Sequence, residues 1–435
     1  MIGRQGRSVD QTAARSAIRL AGVREKSVSD MSMDRRPLFY GWFVVAAAFG
    51  VTFVGFGGAY TFSAFFESLQ RDFAASRGSV SLVFSLAGFL YFGLGFLSGP
   101  LADRWGSRSM AVLGMLSLGI GLAMASTARS LLQVYAAYGL GVGLGVGFSY
   151  VPVLGAVQRW FVRQRGLASG LAVSGIGVGT LVMPPMATFL IDSFGWRKAY
   201  IILAGFAMVV GIAMSLLIEN DPRDRGLLPD GDPAPTGLQS SEAAGASVHD
   251  AIRSRRFIGL YAACLVCSFG LFVPFVHLVP YAVDHGIPQS AAVLLLGVIG
   301  VGSTGGRFLL GGLADRMGRP RALLVMFMGM ALALAIWAVS TTLWSLAAFA
   351  LLYGVFYGGW VAVLPAVVMD YFGGRNIGGI IGALYTSVAF GTLIGPSAAG
   401  FVFDYSHSYL FSILFGVCGN IVAAGIVGAT SAEKR

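Results

Sequence analysis

The chain has 435 residues, 56% of them hydrophobic and 11% charged, with a mean hydropathy of +0.75. So little charge cannot cover a water-soluble protein of this length, which excludes a soluble globular enzyme and makes lipid the solvent for most side chains. The net charge of +10 would suit a nucleic-acid binder, but the placement of the charges along the chain argues against that.

In chain order, residues 1–37 are polar and Arg-rich and lack the apolar core of a signal peptide. Met31 and Met33 stand just before the first apolar run, so translation is expected to start at Met1, Met31 or Met33. Runs long enough to cross about 30 Å of hydrocarbon as helices fall at 41–66, 79–101, 109–127, 132–157, 166–191 and 198–218. Six more fall at 257–283, 290–313, 321–339, 343–369, 377–403 and 408–430. Between the two sets, residues 219–256 are rich in Pro, Gly, Ser and charge, the composition of a linker. The expected organisation is an amino-terminal tail (1–37), a six-helix bundle (38–218), a linker (219–256), a second six-helix bundle (257–430) and a short tail (431–435). The fold class is therefore an all-α membrane protein of twelve spans. The 62 glycines suit close helix packing in lipid.

An even number of spans puts both termini and the linker on one side. That side carries 24 of the 30 Lys and Arg residues, and the opposite side carries five: Arg71, Arg77, Arg129, Arg197 and Lys198. By the positive-inside rule the termini and linker are cytoplasmic, in a bacterial inner membrane. This distribution accounts for the basic balance with no nucleic acid as partner. Cys264 and Cys267 form a C-x-x-C along a predicted span with no companion ligands, so they read as packing residues. Gly141, Gly143, Gly145 and Gly147 imitate a dinucleotide loop only by letter, inside an unbroken apolar run. No cofactor, metal site or catalytic constellation is expected.

The two sets of spans repeat at one offset. Gly99, Asp103, Arg104 and Gly106 recur as Gly311, Asp315, Arg316 and Gly318. Arg163 recurs as Arg375, Gly170 as Gly382, Thr180 as Thr392, Pro184 as Pro396 and Asp192 as Asp404. Every pair is 212 residues apart. Duplicated halves that meet near the bilayer midplane characterise alternating-access transporters. The G-x-x-x-D-R-x-G pattern after the second and eighth spans resembles the signature of the major facilitator superfamily. The resemblance implies a conformational gating role for Asp103, Arg104, Arg108, Asp315, Arg316 and Arg319.

Residues 160–175, from Trp160-Phe161-Val162-Arg163-Gln164-Arg165 to Gly175, resemble the signature between helices 4 and 5 of the monocarboxylate transporter family. Trp160 replaces the usual Tyr and Gln164 a basic residue. Tyr40-Gly41-Trp42-Phe43-Val44-Val45 matches the helix 1 signature, without its preceding acid. The segment from Val273 through His277 to Tyr281 is similar to helix 7 of bacterial members. The likeness spans most of residues 37–430.

Arg307 is the one Lys, Arg, Asp or Glu that falls midway along a predicted span rather than at its end. A charge at that depth costs about 2.5–3.5 kcal/mol on insertion scales, which marks it as functional by default. Its planar donor fork suits a carboxylate, and the resemblance aligns it with the helix 8 arginine that binds substrate in the monocarboxylate family. Ser303 stands where the family has an acid, and Tyr60 where it has a lysine, so proton coupling by those groups is not implied. His277, flanked by Pro274 and Pro280, is the group in the spans able to titrate near neutral pH, with Tyr281 one turn on. Its expected roles are substrate hydrogen bonding or proton coupling. Tyr150, Ser149, Tyr357 and Tyr385 offer hydroxyls inside predicted spans, suited to lining a small anion site.

The expected function is secondary transport of a small monocarboxylate, lactate- or pyruvate-like, with a co-transported proton and a monomer as the working unit. An organic-anion exchanger resembling the oxalate:formate branch, or a non-transporting membrane sensor, is the alternative. Residues 377–403 lack the second basic residue common in that branch.

Overall fold

A computed structural model describes residues 39–231, 245–373 and 376–432. The side chains of Asp103, Arg165 and Asp315 lie outside the described set, as do the tail 1–37 with Met31 and Met33, linker residues 232–244, Arg375 and residues 433–435. The gating roles of Asp103 and Asp315 therefore rest on the sequence.

The helices belong to one compact unit beginning at Gly41. They are α1 (Gly41–Asp72), α2 (Arg77–Gly93 with Gly95–Trp105), α3 (Ser107–Ser126), α4 (Leu131–Trp160), α5 (Arg165–Phe194) and α6 (Trp196–Leu216). After the linker come α7 (Arg255–Asp284), α8 (Gln289–Met317), α9 (Arg319–Ala338), α10 (Leu343–Phe372), α11 (Ile377–Ser406) and α12 (Leu410–Ala432). Eleven are long and apolar enough to span a bilayer by themselves. The two pieces of α2, bent by 43° at Leu94, make the twelfth. Most helices overrun their apolar windows by about a turn, because their ends carry polar residues that reach past the hydrocarbon.

Local chemistry starts several of them. Ser76, Ser130 and Ser254 accept hydrogen bonds from backbone N–H groups three residues on, and Thr342 with Ser345 forms a capping box. The repeat is visible in the backbone. Gly106 (φ +84°) and Gly318 (φ +90°) turn the chain between α2 and α3 and between α8 and α9, in a region that only glycine adopts without strain. The first helix of each half breaks at almost the same place in the repeat, α1 at Thr61 and α7 at Phe272.

Glycine lets backbones touch within each half. A Cβ on Gly306 or Gly358 would overlap the facing helix backbone at Val355 or Ser303, so α8 and α10 pack with no side chain between them. The halves meet along α2 with α11, α5 with α8, and the later part of α1 with the later part of α7. Leu132, Val209, Leu309, Phe189 and Phe411 are more than three-fifths exposed on the outer faces, an apolar surface that lipid must cover. The linker is not wholly irregular. Ser247 caps a short helix, Val248–Arg253, and Ala246 bonds to the carbonyl of Phe372 and to the side chain of Asn376. This ties the linker to the α10–α11 turn.

Candidate functional site

Arg307 sits mid-way along α8, buried at 5% exposure, in contact with the opposite half. Its Nη1 donates to the carbonyl of Val173 on α5 at 2.9 Å, while Nε and Nη2 have no partner among the described residues. A guanidinium has five N–H donors in a fixed plane, and an unpaired buried donor costs about 1–3 kcal/mol, more when charged. Tyr150 lies beside Arg307, with Tyr357 and Tyr385 adjoining Tyr150.

A cavity of about 480 Å³ begins at Arg307 and Tyr150 and runs past Val173 and Gly170 to Gln158, Gly166, Ala314 and Arg319. The last four lie at or near helix ends, beside the α4–α5 and α8–α9 turns, so the cavity leads from mid-helix to the end of the bundle that bears the repeated Asp-Arg motifs. Above Arg307 the rings of Phe56, Phe92, Tyr150, Tyr357, Trp360 and Tyr385 leave only a small void. Tyr60 and Tyr357 share a 3.4 Å hydrogen bond across the two halves, and Tyr60 stacks on Phe275 at 4.7 Å. The aromatic layer closes the cavity toward the other end.

At that other end a second cluster joins the halves. Arg77, the first residue of α2, donates from Nη1 and Nη2 to the two oxygens of Asp284 on α7, each at 2.7 Å, and from Nη1 to the Tyr409 hydroxyl at 2.8 Å. Its guanidinium lies 4.0 Å from the ring centre of Phe403. Asp404 at the end of α11 accepts from the backbone N–H groups of Arg77 and Gly78, both at 2.9 Å, a carboxylate on a helix N-terminus. Gly78 and Gly400 meet backbone to backbone.

The expected site residues divide accordingly. Arg307, Tyr150, Tyr357, Tyr385 and Tyr60 come together around the cavity and its aromatic layer. Ser149 does not line it, since its hydroxyl donates back to Gly145 on its own helix and it packs against Gly114 of α3. Ser303 is buried beneath Gly358 at the α8–α10 contact, with its hydroxyl unpartnered. Tyr281 donates to the carbonyl of Ser340 and packs on Trp337. His277 lies in the Arg77 cluster, hydrogen-bonded to Tyr409, Pro396 and Ser81. These last two residues, expected beside the substrate, stand apart from Arg307 because α7 breaks at Phe272 and its second piece packs at the closed end.

Of the expected gating residues, Arg108 donates to the carbonyl of Ile218 and pairs with Glu219, inside the first half. Arg319 pairs with Asp370 at 2.6 Å inside the second half, at the cavity mouth. Arg104 and Arg316 are exposed. Arg159, not singled out from sequence, binds the carbonyl of Asn220 and the Ser107 hydroxyl, and so pins the α2–α3 turn to the end of α6. Phe56, Phe92 and Trp360 were also not foreseen. Trp360 follows Tyr357 by three residues and Phe56 precedes Tyr60 by four, so helical spacing from the chosen tyrosines would have found both.

Comparison with known proteins agrees with this fold. The chain matches the Major Facilitator Superfamily over residues 47–396 and 306–433. It is 31% identical over 398 residues to rat (Rattus norvegicus) monocarboxylate transporter 3, covering 90% of this chain and 80% of that one. It is 30% identical over 398 residues to mouse (Mus musculus) monocarboxylate transporter 11, covering 89% and 86%. Among solved structures, a bacterial homolog of the human lysosomal transporter Spinster, inward-facing and unoccupied, superposes with a TM-score of 0.69 at 16% identity, covering 91% of this chain and 98% of that one. At that identity the likeness speaks for the fold. Twelve helices in two repeated halves, the family match and the full-length relatives together make this chain a multi-pass member of the major facilitator superfamily and, within it, of the monocarboxylate transporter family.

Proposed function

We propose that the chain is a secondary active transporter of small monocarboxylates of the lactate and pyruvate type, working by alternating access with proton coupling. The observation that carries this is Arg307, a buried guanidinium between the two halves with two nitrogens unpartnered and a cavity leading to it. A carboxylate reaching that fork accepts two hydrogen bonds at once and neutralises the charge. Tyr150, Tyr357, Tyr385 and Tyr60 supply hydroxyls around the bound anion. Their rings exclude water, which strengthens the ion pair.

The positive-inside distribution orients the termini and the cavity mouth toward the cytoplasm of a bacterial cell and the Arg77 cluster outward. In that orientation the structure is inward-facing: the cavity is open to the cytoplasm, and the outer ends of α2, α7 and α11 are latched. Transport requires the outer contacts to part as the inner ends close. The Asp-Arg turns, with Asp103, Arg104, Asp315 and Arg316, lie where closing inner ends would meet. The relatives' names include monocarboxylate transporter 3 and 11, which supports this substrate class.

The test is uptake of labelled lactate and pyruvate into liposomes containing the purified protein, with and without an inward proton gradient. Gradient-stimulated uptake that disappears in Arg307→Ala is the expected result. Uptake unchanged by Arg307→Ala removes the binding assignment, and uptake that ignores the gradient but needs an internal anion replaces symport with exchange.

A further inference from the structure

His277 is fully buried at the outer seam, and every polar atom around it can be accounted for only with a neutral ring. Ser81 Oγ donates to the carbonyl of Arg77 at 2.6 Å, so toward the imidazole it is an acceptor. Pro396 offers only its carbonyl, 2.8 Å from Nε2. Nε2 therefore carries hydrogen and donates to both. On the other side, Nδ1 is 3.0 Å from the Tyr409 hydroxyl, which already accepts from Arg77 Nη1. The phenol has one hydrogen to give, and Nδ1 without a proton accepts it. A continuous chain results, from Arg77 to Tyr409 to His277 to Pro396, linking both halves with no donor wasted.

A proton on Nδ1 breaks this chain at one atom. The Tyr409 oxygen would then face two cationic donors, the Arg77 guanidinium and the imidazolium, and its own hydrogen would lose its acceptor. The charged and titratable groups around the ring are Arg77 from α2, Asp404 from α11, Tyr409 at the head of α12, and Tyr281 and Asp284 on α7 itself, while α1 presents the ring of Phe66. Neither acid is free to answer the new charge. Asp404 is held by two backbone N–H groups and Asp284 by both ends of Arg77.

We propose that His277 is a proton-operated latch: the outer seam of Arg77, Asp284, Asp404 and Tyr409 closes on a neutral imidazole, and a proton taken up from the outer side favours the outward-open form. Opening the seam releases the ring from Pro396 and Tyr409 and gives it to water, where the imidazolium is solvated. The state that binds the proton better gains population as acid rises, by linkage. External acid thus presents the site to the side where a protonated medium and the anion are found together. The inference rests on the alternating-access and orientation assignments above, but it concerns the gate and not the substrate contact.

The test uses a cysteine placed at Ser85, a fully buried α2 residue whose hydroxyl receives a hydrogen bond from Ser397 of α11 one turn deeper in the seam. Cys418, the exposed native cysteine, is replaced by serine. Intact cells are treated with a membrane-impermeant thiol reagent at about pH 5.5 and about pH 8, which bracket free imidazole titration. We expect labelling of Ser85→Cys, expressed at each pH relative to the same cysteine in unfolded protein so that the fall of the thiolate in acid cancels, to be about fivefold faster or more at the acid pH. His277→Asn keeps an acceptor for Tyr409 and a donor for Pro396 but cannot take the proton, so its labelling should be slow at both pH values. Arg77→Gln should label rapidly at both.

Relative labelling in the His277 protein that is flat or lower in acid overturns the proposal, as does an acid response that survives His277→Asn. If His277→Asn fails to reach the membrane, the pH series in the His277 protein alone decides. Labelling needs no substrate. An intact acid response without carboxylate uptake therefore breaks only the transport assignment, and uptake without the acid response breaks only the latch.

Discussion

Arg307 and Arg77 are both arginines held between the two halves, and they have opposite books of hydrogen bonds. Arg77 gives both terminal nitrogens to Asp284, one of them also to Tyr409, and lays its plane on Phe403. Arg307 has one carbonyl, and its other two nitrogens face tyrosine rings and open cavity. The difference teaches where a charge is structural and where it awaits a ligand. A guanidinium whose terminal nitrogens are both paired by its own chain is a fastener. One whose donors are left over, at a depth where leaving them over is costly, has its counter-charge elsewhere.

The strongest way to break that contrast is Arg307→Ala. Removing the anchoring half of a buried carboxylate contact costs about 2–5 kcal/mol, so initial uptake should fall on the order of 100-fold or more, with the folded protein recovered in normal yield by size-exclusion chromatography. Arg307→Lys should retain charge but not the fork, and recover only part of the rate. Arg77→Gln should act differently. Loss of the charged hydrogen bonds at the seam shifts the equilibrium toward the outward-open form by about tenfold, and the thiol-labelling rate described above reads that shift directly. Equilibrium binding of the carboxylate to purified protein should change far less than in Arg307→Ala. If both arginine variants lose binding equally, the distinction between fastener and anchor is lost.

Smaller effects sharpen the comparison. Tyr357→Phe removes the 3.4 Å bond to Tyr60 across the halves and one hydroxyl beside Arg307. A single neutral hydrogen bond is worth about 1 kcal/mol, so a rise of about five-fold in the half-saturating lactate concentration is expected, measured as concentration-dependent uptake. Tyr281→Phe should be the mildest. Its hydroxyl serves the carbonyl of Ser340, so the cost is about 1 kcal/mol of stability, visible as a lower melting temperature, with uptake kinetics unchanged. A clear loss of substrate affinity in Tyr281→Phe would place that residue at the substrate despite its bond to Ser340.

The isolation of Arg307 was legible from sequence because acids are absent from the apolar runs, so no fold could bring it an ion-pair partner at that depth. Arg77 was legible only as one of five charges on the sparsely basic side. Its partners Asp284, Asp404 and Tyr409 lie 207, 327 and 332 residues away, and no local pattern joins them. His277 and Tyr281 were placed beside the substrate on the strength of their position in an apolar helix. The break at Phe272, which aims them at the seam around Arg77, has no signature in hydropathy, because residues on both sides of it are apolar.

By itself the sequence determined that this chain spans a membrane twelve times in two repeated halves, since length, apolar content and a 212-residue offset are properties of the string. The turns at Gly106 and Gly318 follow as directly, each needing a positive φ. Only the tertiary structure decided which end is closed. Asp192 and Asp404 are equivalent in the repeat, yet Asp192 is exposed while Asp404 caps α2 across the seam. Two halves of the same pattern can rock into more than one arrangement. Which cross-half contacts exist is set by the packing of whole helices against each other, and that information resides in no single stretch of chain.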